Sequence, residues 1–216
     1  MYDLNDSIEL ILPVAEGDKS CVVKHPTDDQ WISRFGKRYT IIRNLGNGVS
    51  ETKSMNRETA DSELLAAIQL NKEIKFDEAE AITLIEQLAN CDVVDVTKEG
   101  GRYVIILNTP LGEVTLTVKI PTHKDLKYAT EACLRVRGGK FNASTIHISL
   151  SPGAELFDKI AEEVKGYSTT NPKEIPIIHK YKAIDAIQGE VNQIVARSKT
   201  SGAEAFPSIP GPTTPA

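Results

Sequence analysis

The twenty residues from Ile8 to Thr27 lie over the twenty from Tyr103 to Thr122 without a gap, at a constant offset of 95. Ile11 meets Ile106, Leu12 meets Leu107, Gly17 meets Gly112, Val23 meets Val118, Lys24 meets Lys119, Pro26 meets Pro121 and Thr27 meets Thr122. Unrelated segments of this length share about one residue at ordinary frequencies. Downstream, Glu63-Leu64-Leu65 and Ile68 match Glu155-Leu156-Phe157 and Ile160. Lys72-Glu73-Ile74 then matches Lys173-Glu174-Ile175, and Ala81-Ile82 with Ile85 matches Ala183-Ile184 with Ile187. The offset drifts to 92 and then to 101–102, as insertions in loops would cause. The order of blocks therefore points to tandem duplication of one module, and to an α+β chain in which a β-hairpin followed by about three helices occurs twice.

The local signals agree on the hairpins. Ile8–Val14 and Cys21–Lys24 flank a turn at Glu16-Gly17-Asp18, and Tyr103–Asn108 and Val114–Ile120 flank one at Pro110 and Gly112. A further strand, Asp92–Thr97, precedes Gly100-Gly101, a pair suited to the positive φ of a tight turn. Thr27 and Thr122 stand where helix N-caps belong. The spacing predicts helices over Asp28–Asn44 and Lys124–Val136, each ending in a glycine-bearing loop: Leu45-Gly46-Asn47-Gly48 and Arg137-Gly138-Gly139-Lys140. Ser144–Leu150 alternates like an extra strand, whereas its polar counterpart Val49–Met55 reads as loop. A last helix is expected over Ile178–Ser198. The expected division is residues 1–91 for the first repeat, 92–199 for the second (a three-stranded meander plus helices), and 200–216 for an extended or disordered Pro-rich tail.

A formal net charge of −5 argues against general affinity for nucleic acid or anionic lipid. The charge is divided unevenly. Residues 1–100 hold 11 Lys+Arg against 19 Asp+Glu, and residues 101–216 hold 14 against 11, so the halves present different surfaces. Cys21, Cys91 and Cys133 are widely spaced and form no CxxC pair; buried free thiols are expected. The acidic N-terminus has no secretory pattern, and no apolar run approaches the ~20 residues of a membrane helix. A cytoplasmic location is expected.

Candidate chemistry is sparse. His25, His123, His147 and His179 lie far apart in sequence and away from the cysteines, so surface or capping roles are expected and no metal or other cofactor is implied. Gly46-Asn47-Gly48 lacks the Lys-Ser/Thr of a phosphate loop and reads as a helix C-terminal turn. Arg135, Arg137 and Lys140 form a small basic cluster able to meet an acidic partner surface. Trp31, Phe35, Tyr39, Ile42 and Leu45 fall at helical spacing; the stripe reads as core, with a partner groove as the alternative. No serine or cysteine nucleophile has a recognisable local signature, so catalytic residues are not assigned. The candidate partner contacts are Trp31, Phe35, Arg135, Arg137 and Lys140.

The segment Val118-Lys-Ile-Pro-Thr-His-Lys-Asp-Leu126, between a hairpin and helices, resembles the corresponding step in tail assembly chaperones and tail accessory proteins of tailed bacteriophages. The first copy, Val23-Lys-His-Pro-Thr-Asp-Asp-Gln-Trp31, keeps Pro-Thr and replaces Asp-Leu with Gln-Trp; Asp77–Ile85 is similar to that family's final helix. The usual chaperone has one copy of the unit, and this chain has two. The resemblance implies a non-enzymatic protein acting in the host cytoplasm through protein–protein contacts, with the tail tube or tape-measure protein as partner. Two alternatives remain at this stage. One is a virion structural component of tail, neck or capsid. The other is a small ligand-binding protein or enzyme with a site between the repeats.

Overall fold

A computed structural model describes residues 2–15, 17–46, 49–138 and 143–201. Within them six α-helices and three antiparallel sheets form a mixed α+β fold. The expected hairpins are present. β1 (Ser7–Leu12) pairs with β2 (Lys19–Lys24) as a two-stranded sheet. β5 (Asp92–Glu99), β6 (Arg102–Thr109) and β7 (Gly112–Lys119) form a meander, extended by β10 (Ala161–Lys165) into the order β10-β7-β6-β5. Gly17 and Gly112 close the equivalent turns at φ of 117° and 118°, a region that costs side chains with a Cβ dearly. Alternation buries Ile8, Leu10 and Leu12 on one face of β1, and Tyr103, Ile105 and Leu107 on one face of β6.

Each Pro-Thr step starts a helix. Thr27 caps α1 (Asp28–Lys37) by accepting from the Gln30 backbone N–H, and the Gln30 side chain returns to the Thr27 N–H. Thr122 caps α4 (His123–Cys133) through the Asp125 N–H. Both helices are shorter than their spacing predicts. Residues 39–46 form a strand, β3 (Tyr39–Gly46), and Leu134–Gly138 form another, β8. Tyr39-Thr40-Ile41-Ile42 and Val136 are β-branched or aromatic, and such side chains lose rotamer freedom in a helix while packing well on a pleated surface. The helical stripe therefore holds only for Trp31 and Phe35. The glycine-bearing segments taken for helix C-termini connect hairpin strands instead, with Asn47, Gly48 and residues 139–142 outside the described residues. Val49–Met55, expected as loop, is strand β4; Ala143–Ile148 is β9, in the place where a strand was expected.

α2 (Arg57–Ile68), α3 (Glu78–Ala89), α5 (Ser151–Ile160) and α6 (Ile177–Ser201) complete the helices, with a short 3-10 turn at Pro172–Glu174. α6 runs to Ser201, past the expected start of the tail; residues 202–216 lie outside the described residues. Two apolar clusters result. One packs β1, β2, α1, α2 and α3 around Trp31, Ile68, Leu84 and Ile85. The other packs β6, β7, α4, α5 and α6 around Ile105, Leu107, Leu116 and Phe157. They are not confined to the expected halves. Leu150, Ala154, Ile177 and Ile178 enter the first cluster, whereas Ala183, Ile184 and Ile187 of the same α6 enter the second. The Ile177 N–H donates to Asp28 Oδ1 at 2.9 Å. In the other direction Tyr2 crosses to the second half, where its N–H bonds the Gly166 carbonyl and its carbonyl accepts from the Ser168 N–H.

Because α6 belongs to both clusters, we expect a single cooperative unfolding transition in urea. Leu116→Ala, in the cluster without tryptophan, should cost about 3 kcal/mol. It should shift the fluorescence midpoint of Trp31 as far as the circular-dichroism midpoint. A fluorescence midpoint indifferent to Leu116→Ala would mean two independent units.

Candidate functional site

The third sheet, in the order β4-β3-β9-β8, is built from both halves. β3 enters directly from the end of α1 and β8 from the end of α4, so two helix termini carry the sheet at its base. The Ser149 N–H donates to the Cys133 carbonyl at 2.8 Å and ties the exit of β9 to the entry of β8. Unlike the other two sheets, none of its described strand residues is buried. Both faces are accessible, and pairing assigns each side chain to one of them.

One face is basic. Arg135, His147, Tyr39 and Met55 form one row across it, and Arg137, Thr145, Ile41 and Lys53 the next; Arg43 lies beside Glu51 in a third. The Tyr39 and His147 rings are 5.4 Å apart, and Arg43 and Glu51 approach to 3.9 Å. The other face carries no charge. Leu134 and Ile148 form its first row, Val136, Ile146, Thr40 and Ser54 its second, and Ser144, Ile42 and Thr52 its third. Leu134 is 51% exposed and Val136 61%. Exposed apolar side chains grouped on one face are a surface that association would bury. α1 leans over the base of the sheet. A cleft of about 190 Å³ lies between Ile32, Gly36 and the Arg135–Arg137–His147 side, and a smaller one of about 60 Å³ between Phe35, Arg38, Ile146 and Ile148.

Of the residues singled out by sequence, Arg135 and Arg137 share the basic face, on a strand rather than at a helix end and in the loop after it, and Phe35 is half-buried at the edge of the smaller cleft. Trp31 is fully buried and belongs to the core, so it offers no side chain to a partner. Lys140 lies outside the described residues. The sheet itself was missed, because Val49–Met55 has no apolar alternation, and Tyr39–Asn44 and Leu134–Val136 were read as helix with glycine-bearing loops after them.

Two polar clusters lie inside the molecule. Asp61, fully buried, accepts from Arg34 Nε at 2.5 Å and from Nη2 at 3.3 Å. The guanidinium stacks within 5.5 Å of Trp31 and 5.0 Å of Phe35, which joins α1 to α2. The second cluster gathers Tyr2, His25, Tyr167 and His179 where the halves meet. The Tyr2 hydroxyl bonds His25 Nε2, and the Tyr167 hydroxyl lies 2.8 Å from His179 Nδ1. Tyr2 also stands 5.2 Å from the His179 ring and 5.4 Å from that of Tyr167. Sequence reading gave both histidines surface or capping roles; His179 is 2% exposed, and nothing local in the sequence brings Tyr2 to it. Burial, reinforced by nearby His25, pushes His179 down to about 3, and burial also lowers His25. Both phenols are pushed up by burial. Among the described residues no three His, Cys, Asp or Glu side chains come together as a metal site requires, and no helix is long and apolar enough to cross a membrane.

These clusters make two expectations. Asp61→Leu should cost about 3–5 kcal/mol by stranding a buried guanidinium, and the double replacement Asp61→Leu with Arg34→Met should cost less than the single one; urea denaturation reads both. His179 is held neutral in the fold and takes a proton readily once unfolded. Its contribution is therefore fully present above pH 6.5 and lost progressively as pH falls toward 3. Between pH 7 and pH 5 the native chain should lose about 2 kcal/mol more stability than His179→Gln. Equal losses would mean that His179 is not held neutral.

No protein-family model, curated protein or solved structure matches this chain.

Proposed function

We propose that this chain is a non-enzymatic assembly protein, a tail assembly chaperone or tail accessory protein of a tailed bacteriophage, whose two halves descend from one duplicated module. The uncovered sheet is the observation that carries it. Four strands project from the helical body with Leu134, Val136 and Ile148 exposed on an uncharged face, and burying such a surface favours association. Tyr2, Tyr167 and His179, whose ionisation burial displaces, lie in the packed interior where the halves meet. Duplication is supported by the order of elements. Hairpin, capped helix, hairpin and helix run from β1 to α2 and again from β6 to α5, and Ser7, Asp28 and Tyr39 open their elements 95 residues before Arg102, His123 and Leu134 open theirs. The partners are tail tube or tape-measure protein, seated on the uncharged face before assembly.

The test is capture from cells in which the tail is being assembled. The native chain should retain the tube or tape-measure protein. Leu134→Glu with Ile148→Glu, both at exposed positions, should lose at least about tenfold in captured partner with little change in stability. Retention of neither tail protein by the native chain would sink the proposal.

A further inference from the structure

The basic face of the sheet β4-β3-β9-β8 keeps its charge and its rings in separate places. Arg135 and Arg137 stand two residues apart on β8, at one edge, and Lys53 stands on β4, at the other. Between them the two central strands carry Tyr39 of β3 and His147 of β9, paired with ring centroids 5.4 Å apart and planes 31° from parallel. Both rings are half-buried, and the three cations are exposed. Among the described residues Arg135, Arg137 and Lys53 have no acidic partner, whereas Arg43, one row farther out, lies beside Glu51. Asn47, Gly48 and residues 139–142, which join the strands of each hairpin, include no acid. The cleft of about 190 Å³ beside α1 adjoins Arg135, Arg137 and His147 at the base of this face.

We propose that this face binds single-stranded nucleic acid, with unpaired bases laid on Tyr39 and His147 and backbone phosphates met by Arg135, Arg137 and Lys53. The inference stands apart from the assembly reading, which uses the opposite face. Two properties of a single strand are matched at once. Its bases are free to stack, and every base presents a π-face to an aromatic ring. Its phosphates run beside those bases, and strands at the usual spacing put the two charged edges roughly 14 Å apart, on either side of the rings. An acidic polypeptide would meet the cations and leave the rings without a counterpart. A duplex would offer phosphates, but its bases stay stacked inside and cannot reach the rings. The net charge of −5 argues against affinity for polyanions in general. Close to this face the local cations decide, because exposed charges more than ~8 Å away are largely screened at physiological salt.

The test is fluorescence anisotropy of a labelled oligouridylate of about ten nucleotides titrated with the full-length chain. The native chain should bind with a dissociation constant on the order of 10 μM at low salt. The logarithm of affinity should fall against that of salt concentration with a slope of about −2, as three phosphate contacts on a single strand require. Tyr39→Leu keeps an apolar side chain on β3 and removes the ring; it should weaken binding about tenfold at an unchanged slope, and Tyr39→Phe should bind as the native chain does. Arg137→Gln, at an exposed position, should bring the slope to about −1.4. Circular dichroism checks that each variant is folded. Absence of binding by the native chain would overturn the proposal, as would a folded Tyr39→Leu chain that binds like the native one. Equal binding of a duplex of the same length would also overturn it. So would displacement of oligouridylate by oligoglutamate at equal charge, which would make the face a site for acidic polypeptide.

Discussion

Between Tyr39 and Arg43 the backbone of β3 pairs with Ala143–His147 of β9, and that ladder makes one sheet out of two ribbons. A two-stranded hairpin without a buried face is marginal in water. Neither β3–β4 nor β8–β9 has such a face, and each persists because the other supplies a third and fourth strand. The body below is locked in the same reciprocal way. The first turn of α6 enters the core of the first half, and Tyr2 reaches back to Gly166 and Ser168 of the second. Neither half has a complete interior of its own. The sheet stands on two helix ends whose relative position is set by these exchanges.

Interior and exterior divide the polar chemistry between them. Below the sheet, charge is neutralised in place: Arg34 satisfies Asp61 beneath two aromatic rings, and the phenols of Tyr2 and Tyr167 meet imidazoles that burial keeps uncharged. Such arrangements are costly to break and add less net stability than apolar packing would, so their effect is to fix one mutual position of the parts. Above, the sheet leaves Arg43, Lys53, Arg135 and Arg137 in solvent on one face and aliphatic side chains on the other. The two faces therefore offer sharply different chemistry to whatever meets them.

Much of this was legible in the chain. The offset of 95 between Gly17 and Gly112, and between Thr27 and Thr122, picked out hairpin turns and N-caps correctly because each depends on a few neighbouring residues. What failed depended on contacts outside the segment being read. Val49–Met55 is a strand because β3 offers it an edge, and its own Ser, Thr, Glu and Lys side chains give no period to read. Tyr39–Leu45 mimics a helical stripe, yet the β-branched run at Thr40–Ile42 decides the local conformation once a partner strand is present. Trp31 was considered as a contact because an aromatic residue on an amphipathic helix suits both roles; only the packing of α2 and α3 over it settles the matter. His25 and His179 are separated by most of the chain, and no local signal could join them.

Cys21, Cys91 and Cys133 sit in different places in this arrangement: against the first core, against the second, and at the junction where α4 becomes β8. Burial pushes Cys21 up to about 11 and Cys91 up to about 12, and raises Cys133 as well, so little thiolate is present at neutral pH while the fold is closed. Each sulfur becomes nucleophilic only when its surroundings open. The chain therefore carries three internal clocks, and the order in which they react with an alkylating reagent would record which part of the molecule loosens first.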